Sequence, residues 1–469
     1  MPSIDANDPV QEFARQIPSV PSPYGEGKLS NFQHIKLSAY WFATNFLWGA
    51  LLLIMLPGEI KRMNPEFRAE ALGLLTGLTA IVALIVPLVA GALSDRCASK
   101  WGRRRPFMAV GLTINIFGLM GMAIGNQIAT PVHNAASVWS AMASSPGFLV
   151  FTLGYIIVQF GNNVTSAAYM GVIPDVVPDG QRGVASGYMA LMSQLGSLFG
   201  AVGAGMLLEH QPETVKYLLV GVVLVGVALV TILGMRETPL PYTPPKIQWK
   251  EYFASLWINP KEYPDFAWVW ITRALVMLGF YAVVPFIAYY LVDVANVPEA
   301  HVSSSATYVQ ALILITSTLS GFYGGKMSDK IGRKRVVYIA NTAISVLALA
   351  FIFCQNLTHV MLAGAFFGLG YGAYISVDYA LGTDVLPSRK DAAKEMAVWH
   401  IAMTLPQSIA SPLAGFLIAL PGKKVLPPLE PGGDSIIHYT LGGYAAVFIL
   451  CSVCFGLGAF LLKNVKGVK

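Results

Sequence analysis

Charge is what this chain has least of. Asp, Glu, Lys and Arg make up 12% of its 469 residues, against about a quarter in a soluble domain. That is too little polar surface to coat a water-soluble fold. Cysteine is scarce too. Its four copies, Cys97, Cys354, Cys451 and Cys454, are scattered, so no disulfide framework is expected. Cys451 and Cys454 share a C-x-x-C spacing, but inside an apolar run without another soft ligand nearby, which argues against a metal or redox site. There is no nucleophile triad, no metal-ligand cluster and no phosphate loop with the right flanks. The expectation is therefore no enzyme, no metal, no cofactor and no nucleic-acid partner.

Long apolar runs are what the chain does have. Hydrophobic residues make up 55% and the mean hydropathy is +0.58. Twelve runs reach the roughly 20 residues that cross a bilayer: 37–58, 70–93, 107–128, 147–173, 184–207, 216–235, 266–292, 305–327, 336–354, 359–383, 395–420 and 439–462. This predicts an all-α membrane protein embedded in a lipid bilayer. The polar stretch 1–36 reads as a tail, 37–235 as a first six-helix bundle, 236–265 as a proline-containing linker, 266–463 as a second bundle and 464–469 as a short basic tail. Twelve spans put both termini on one side. Loops on that side carry twenty-four Lys and Arg against six opposite, which predicts cytoplasmic termini.

The cations are concentrated in a repeat. Gly91-Ala-Leu-Ser-Asp95-Arg96 leads through Lys100-Trp-Gly102 to Arg103-Arg104-Arg105-Pro-Phe107, after the second run. Gly325-Lys-Met-Ser-Asp329-Lys-Ile-Gly332-Arg333-Lys-Arg335 follows the eighth. Asp175-Val-Val-Pro178 after the fourth run is matched by Asp384-Val-Leu-Pro387 after the tenth. The chain therefore reads as two parallel six-span halves, an arrangement used by alternating-access carriers. Each central glycine permits a sharp turn. Asp95, Arg96, Gly102, Arg103, Arg104, Asp175, Asp329, Gly332, Arg333 and Asp384 form a candidate gate, with Arg103–Arg105 expected to bridge to Asp175 or Asp179 and Arg333–Arg335 to Asp384 or Asp391. The alternative is that the cations fix topology alone.

Two six-span halves with G-x-L-S-D-R…G-R-R and a second copy resemble the major facilitator superfamily. The fuller loop, Ser94-Asp95-Arg96-Cys97 followed by Gly102-Arg103-Arg104-Arg105-Pro106-Phe107, resembles that of the sucrose and related disaccharide:proton symporters, a glycoside-pentoside-hexuronide:cation symporter-like group. Asn162-Asn163 and Asp175 fit the same resemblance. The plant carriers of that group have an aspartate three residues before the Asn pair and an arginine seven after its second Asn. Here Gln159 and Met170 stand in those places, so neither role is carried over.

Within the spans, Gln159, Asn162, Asn163 and Ser166 share one helix face. Such a stripe either lines a cavity for a polyhydroxylated neutral ligand, each amide donating and accepting, or glues helices together. Trp41, Asn45 and Trp48 form a second face. Trp41 reads as an interfacial anchor, while Asn45 and Trp48 are candidate substrate contacts. Tyr371, Tyr374 and Asp378 form a third. The two tyrosines are candidate sugar platforms. Asp378 is the candidate proton-coupling carboxylate, with a permanent ion pair to Arg273 or exposure to water at the span's end as alternatives. His400, Thr404 and Gln407 form a fourth face, with His400 read as structural. The expectation is a monomeric plasma (inner) membrane carrier of a sucrose- or maltose-like glycoside, working by proton symport. An ion-independent facilitator or exporter is the alternative, and a non-transporting sugar sensor is a second.

Overall fold

The computed structural model describes residues 23–24, 29–133, 135–178, 181–239, 244, 247–387, 392–426 and 436–466, without the side chains of 255, 329, 392–394, 396–397 and 436. Twelve helices in it are long and apolar enough to cross a membrane: α1 Asn31–Met63, α2 Arg68–Asp95, α3 Arg105–Ile128, α4 Pro146–Val176, α5 Arg182–Leu207, α6 Glu213–Gly234, α7 Pro264–Asp293, α8 Glu299–Ser328, α9 Arg333–Phe353, α10 Leu357–Asp384, α11 Val398–Ala419 and α12 Leu441–Asn464. The described chain is nearly all helical, as expected, apart from one short hairpin.

Local chemistry accounts for several helix ends. α1 starts ahead of the apolar run because Ser30 and Gln33 form a capping box, each side chain bonding the other's backbone N–H at 3.3 and 2.8 Å. Pro146 at the first turn of α4, Pro264 of α7 and a prolyl first turn in α3 start those helices where a missing N–H costs nothing. π turns at Leu51–Met55 and Gly203–Leu207 and a 3-10 turn at Val284–Phe286 bend α1, α5 and α7.

Two connections carry structure beyond the expected loops. A short helix, Trp249–Ser255, lies in the linker. Between α11 and α12, Lys423–Leu426 (β1) pairs antiparallel with Ile436–Tyr439 (β2). The β-branched residues at both ends of that connection favour the pairing.

The two halves repeat the same packing. In each, the first helix packs on the fifth and sixth, the fourth on the second and third, and the third on the sixth. The halves meet where α2 lies along α11 and α5 touches α8. That seam is narrow because it is made of backbone. A Cβ on Gly73 would sit 2.5 Å from the Ser411 carbonyl oxygen, and one on Gly415 would sit 2.4 Å from that of Ala69. Gly73→Ala therefore forces an overlap that costs about 1–3 kcal/mol. Gly91→Ala, on the same helix, meets nothing within 4 Å. The melting temperature of the purified protein is expected to fall for the first variant only; equal melting points would contradict so tight a seam.

Candidate functional site

At the basic end the loop residues find the partners expected of them. Arg103 bonds Asp175 at 2.6 Å, while Arg104 bonds Asp175 at 2.8 Å and Asp95 at 2.5 Å. In the second half Arg333 pairs with Asp384 and donates to the Ala380 carbonyl at 2.9 Å. Arg103 and Arg333 are both the residue after a loop glycine, and both glycines take a left-handed conformation, Gly102 at φ 105° and Gly332 at φ 97°. Burial works against the Arg104 charge, but Asp95 and Asp175 beside it hold the guanidinium above its ordinary range. Arg96 reaches the Ala92 carbonyl at 3.4 Å. Asp179, Asp391 and the side chain of Asp329 lie outside the described residues.

Each of these pairs joins elements of one half: α2, α3 and α4 in the first, α9 and α10 in the second. They bind the basic end of a half into one unit. Glu237, just past α6, completes the first cluster. Its carboxylate accepts from the backbone N–H of Arg103, Arg104 and Arg105 at 2.8, 2.6 and 3.3 Å, the open amides of the α3 N-terminus. A side chain on Gly102 would collide with that carboxylate.

The amide stripe of α4 divides. Asn162 is buried and its Oδ1 accepts from Thr44 of α1 at 2.6 Å. Ser166 shares a 2.8 Å bond with Tyr40. These two hold helices together, so the adhesive alternative describes them better than cavity lining. Asn163 is half-buried and its amide donates to Gln159 at 2.8 Å (backbone) and 3.2 Å (side chain). Asn45 is half-buried, donating to the Trp41 carbonyl at 2.8 Å and accepting from Ser197 at 3.4 Å. Trp48 stands edge-on to Tyr155 at 6.4 Å.

In the second half Asp378 pairs with Arg273, both side chains almost fully buried, and Tyr374 donates to the same carboxylate at 2.9 Å. α7 begins at Pro264, which puts Arg273 about 14 Å along the helix at ~1.5 Å per residue. Of the two alternatives for Asp378, the ion pair with Arg273 describes it better than exposure to water. The Arg273 guanidinium lies 4.9 Å from the Trp399 ring of α11. Tyr374 is fully buried and offers no free ring face. Tyr371 stacks on Phe280 at 4.3 Å. His400 is exposed, and Thr404 donates to its carbonyl at 3.4 Å. Among the described residues no group of three His, Cys, Asp or Glu is arranged to hold a metal ion.

Residues 37–323 and, overlapping, 269–467 match the Major Facilitator Superfamily. The chain belongs to that superfamily. Membership makes this chain an integral, polytopic membrane transporter rather than an enzyme. It is 25% identical over 395 residues to a multi-drug resistance efflux pump of Streptococcus pneumoniae serotype 4, covering 81% of this chain and 88% of that one. It is 28% identical over 184 residues to a sucrose transport protein of Arabidopsis thaliana, 37% of this chain and 33% of that protein. The crystal structure of a D-xylose–proton symporter superposes with a TM-score of 0.63 at 15% identity, covering 93% of this chain and 98% of that one; that likeness concerns the fold alone.

Sequence reasoning missed Glu237, Trp399 and, at the end opposite the basic loops, Arg68, Glu70, Asp293 and Tyr439. Glu237 was legible only as one polar residue in a linker. An acid just past α6 beside a loop of arginines is the signal that pointed to it. For the basic cluster of this transporter, Arg104→Gln removes the cation that Asp95 and Asp175 share; Asp175 keeps Arg103 and Asp95 is half exposed, so the loss is about 1–3 kcal/mol. Arg335 is exposed, and Arg335→Gln is expected to be neutral. Thermal melts in detergent test the contrast; similar losses for both variants would count against the assignment.

Proposed function

We propose that this transporter carries a sucrose- or maltose-like glycoside by alternating access, coupled to protons. The observation that carries the coupling is the buried Arg273–Asp378 pair with Tyr374 donating to its carboxylate. Protonating Asp378 removes the counter-charge of a desolvated arginine, so loading a proton changes the energy of this helix cluster far more than it would in water. The glycoside reading is supported by the S-D-R-C…G-R-R-R-P-F loop, the match to a sucrose transport protein and the neutral amides Asn45, Gln159 and Asn163, with Trp48 and Tyr371 as ring surfaces. Asn162 and Tyr374 contribute by fixing α1 against α4 and Asp378 within α10. The loop clusters, Asp95, Arg96, Gly102, Arg103, Arg104, Asp175 and Glu237 in one half and Asp329, Gly332, Arg333 and Asp384 in the other, keep each half rigid while the halves rock. The protein is proposed to act as a monomer in the plasma (inner) membrane, basic end to the cytoplasm.

A second reading, an exporter without a coupled ion, is favoured by one observation: the efflux pump matches over 81% of the chain. Liposomes containing the purified protein separate the two. Labelled sucrose and maltose are expected to accumulate above equilibrium under an inward proton gradient and to leak back with a protonophore. Asp378→Asn is expected to retain exchange and lose uphill accumulation; accumulation that survives the substitution refutes the coupling role. Orientation has its own check. Cys97 is a half-exposed free thiol at the basic end, whereas the other three cysteines are buried. A membrane-impermeant maleimide should modify it from the cytoplasmic side alone, and labelling from outside would invert the topology.

A further inference from the structure

The end opposite the basic loops is built on a different plan. There several buried charges of one half are met by the other. Arg68, at the start of α2, pairs with Asp293 at the end of α7, with side chains 2% and 0% exposed. The rings of Tyr289 and Tyr439 stand 5.0 and 5.3 Å from its guanidinium. Tyr444 of α12 donates to the second Asp293 oxygen at 2.6 Å, and His438 of β2 lies 3.8 Å from the first. The β1–β2 hairpin then reaches back over α2. Tyr439 donates to Glu70 at 2.8 Å and accepts from the Ala69 N–H at 3.1 Å. Lys423 lies 3.4 Å from Glu70, bonds the Glu66 carbonyl and covers the Phe67 ring at 4.1 Å. Lys61 of α1 meets Glu299 of α8 at 2.5 Å.

We propose that Arg68 and Asp293 form the latch of the gate at this end, with Glu70, Lys423 and Tyr439 as a strap that closes with it. The proposal rests on the alternating-access reading and adds residues to it. The geometry separates a latch from a permanent weld. The pairs at the basic end lie inside one half and survive any rocking of one half against the other. The pairs here span the halves, so they break when this end opens. Each partner then meets water arriving at the membrane surface, which compensates a separated charge far better than hydrocarbon does. On opening, Arg68 keeps only Glu70 beside it on α2, and Asp293 keeps the Tyr444 hydroxyl and His438 of its own half, so neither retains the fully buried counter-ion it has when this end is closed.

Spin labels at two exposed sites, Gln211→Cys in the first half and Val425→Cys in the second, report the opening of this end in liposomes, with the native cysteines replaced by serine. The unmodified latch is expected to give mostly the short distance. Asp293→Asn and Arg68→Gln should each raise the long-to-short ratio by about tenfold or more, and the exchanged pair Arg68→Asp with Asp293→Arg should bring it back down. Tyr439→Phe removes one hydroxyl and should give a smaller shift in the same direction, which keeps the test alive if a charge variant fails to fold. An unchanged distribution in folded Asp293→Asn or Tyr439→Phe protein overturns the latch. The readout needs no sugar. Loss of transport with normal gate distances would therefore count against the proposed substrate, not against the latch.

Discussion

A charge taken out of water into a helix bundle must be met by another charge, and everything else in this molecule follows from where that second charge sits. The desolvation of a buried guanidinium or carboxylate costs several kcal/mol per ion after relaxation, which an isolated residue cannot recover. Arg104, Arg273 and Arg68 are all buried, and each has an acid. For Arg104 and Arg273 the acid belongs to the same half. For Arg68 it belongs to the other. The first kind of pair makes a half rigid. The second kind makes the contact between halves conditional on solvent.

The apolar packing is arranged to suit that division. Each half repeats one pattern of helix contacts, so each is a body in its own right. Between the bodies, α2 and α11 approach at Gly73 and Gly415, where backbone meets backbone, and at Gly77, which meets the Pro412 ring. Small residues allow close approach without interdigitated side chains. A seam of that kind gives up little on sliding, since few knobs leave their holes. The polar contacts at the end away from the basic loops can then decide which arrangement is populated.

What the sequence disclosed was local or repeated. The spans show because twenty apolar residues in a row have few other readings, and the halves show because the Asp-Gly-Arg loop occurs twice at equivalent places. The arginine–acid pairs of the basic end were legible for the same reason: Asp175 and Asp384 stand after corresponding helices. Face assignments were correct as geometry and insufficient as chemistry. Gln159, Asn162 and Asn163 do share a side of α4, but only the placement of Thr44 on α1 shows that Asn162 is already engaged. Tyr374 and Asp378 were read separately as platform and proton carrier, and they prove to be bonded to each other. Arg68 and Asp293 were beyond reach. They lie 225 residues apart, and Arg68 counted merely as a cation on the poorer side of the charge bias.

The division between engaged and available groups narrows what can be carried. In the first half the groups still part-exposed on the inward-reading faces are neutral: Asn163 and Asn45 for hydrogen bonds, Trp48 for an apolar surface. In the second half the charged groups at comparable places are Arg273 and Asp378, and they neutralise each other. A permanently charged cargo would have to break that pair to gain a counter-ion, at the cost of exposing its partner. A neutral polyol needs no such exchange. It draws on amides and ring faces and leaves the ion pair intact.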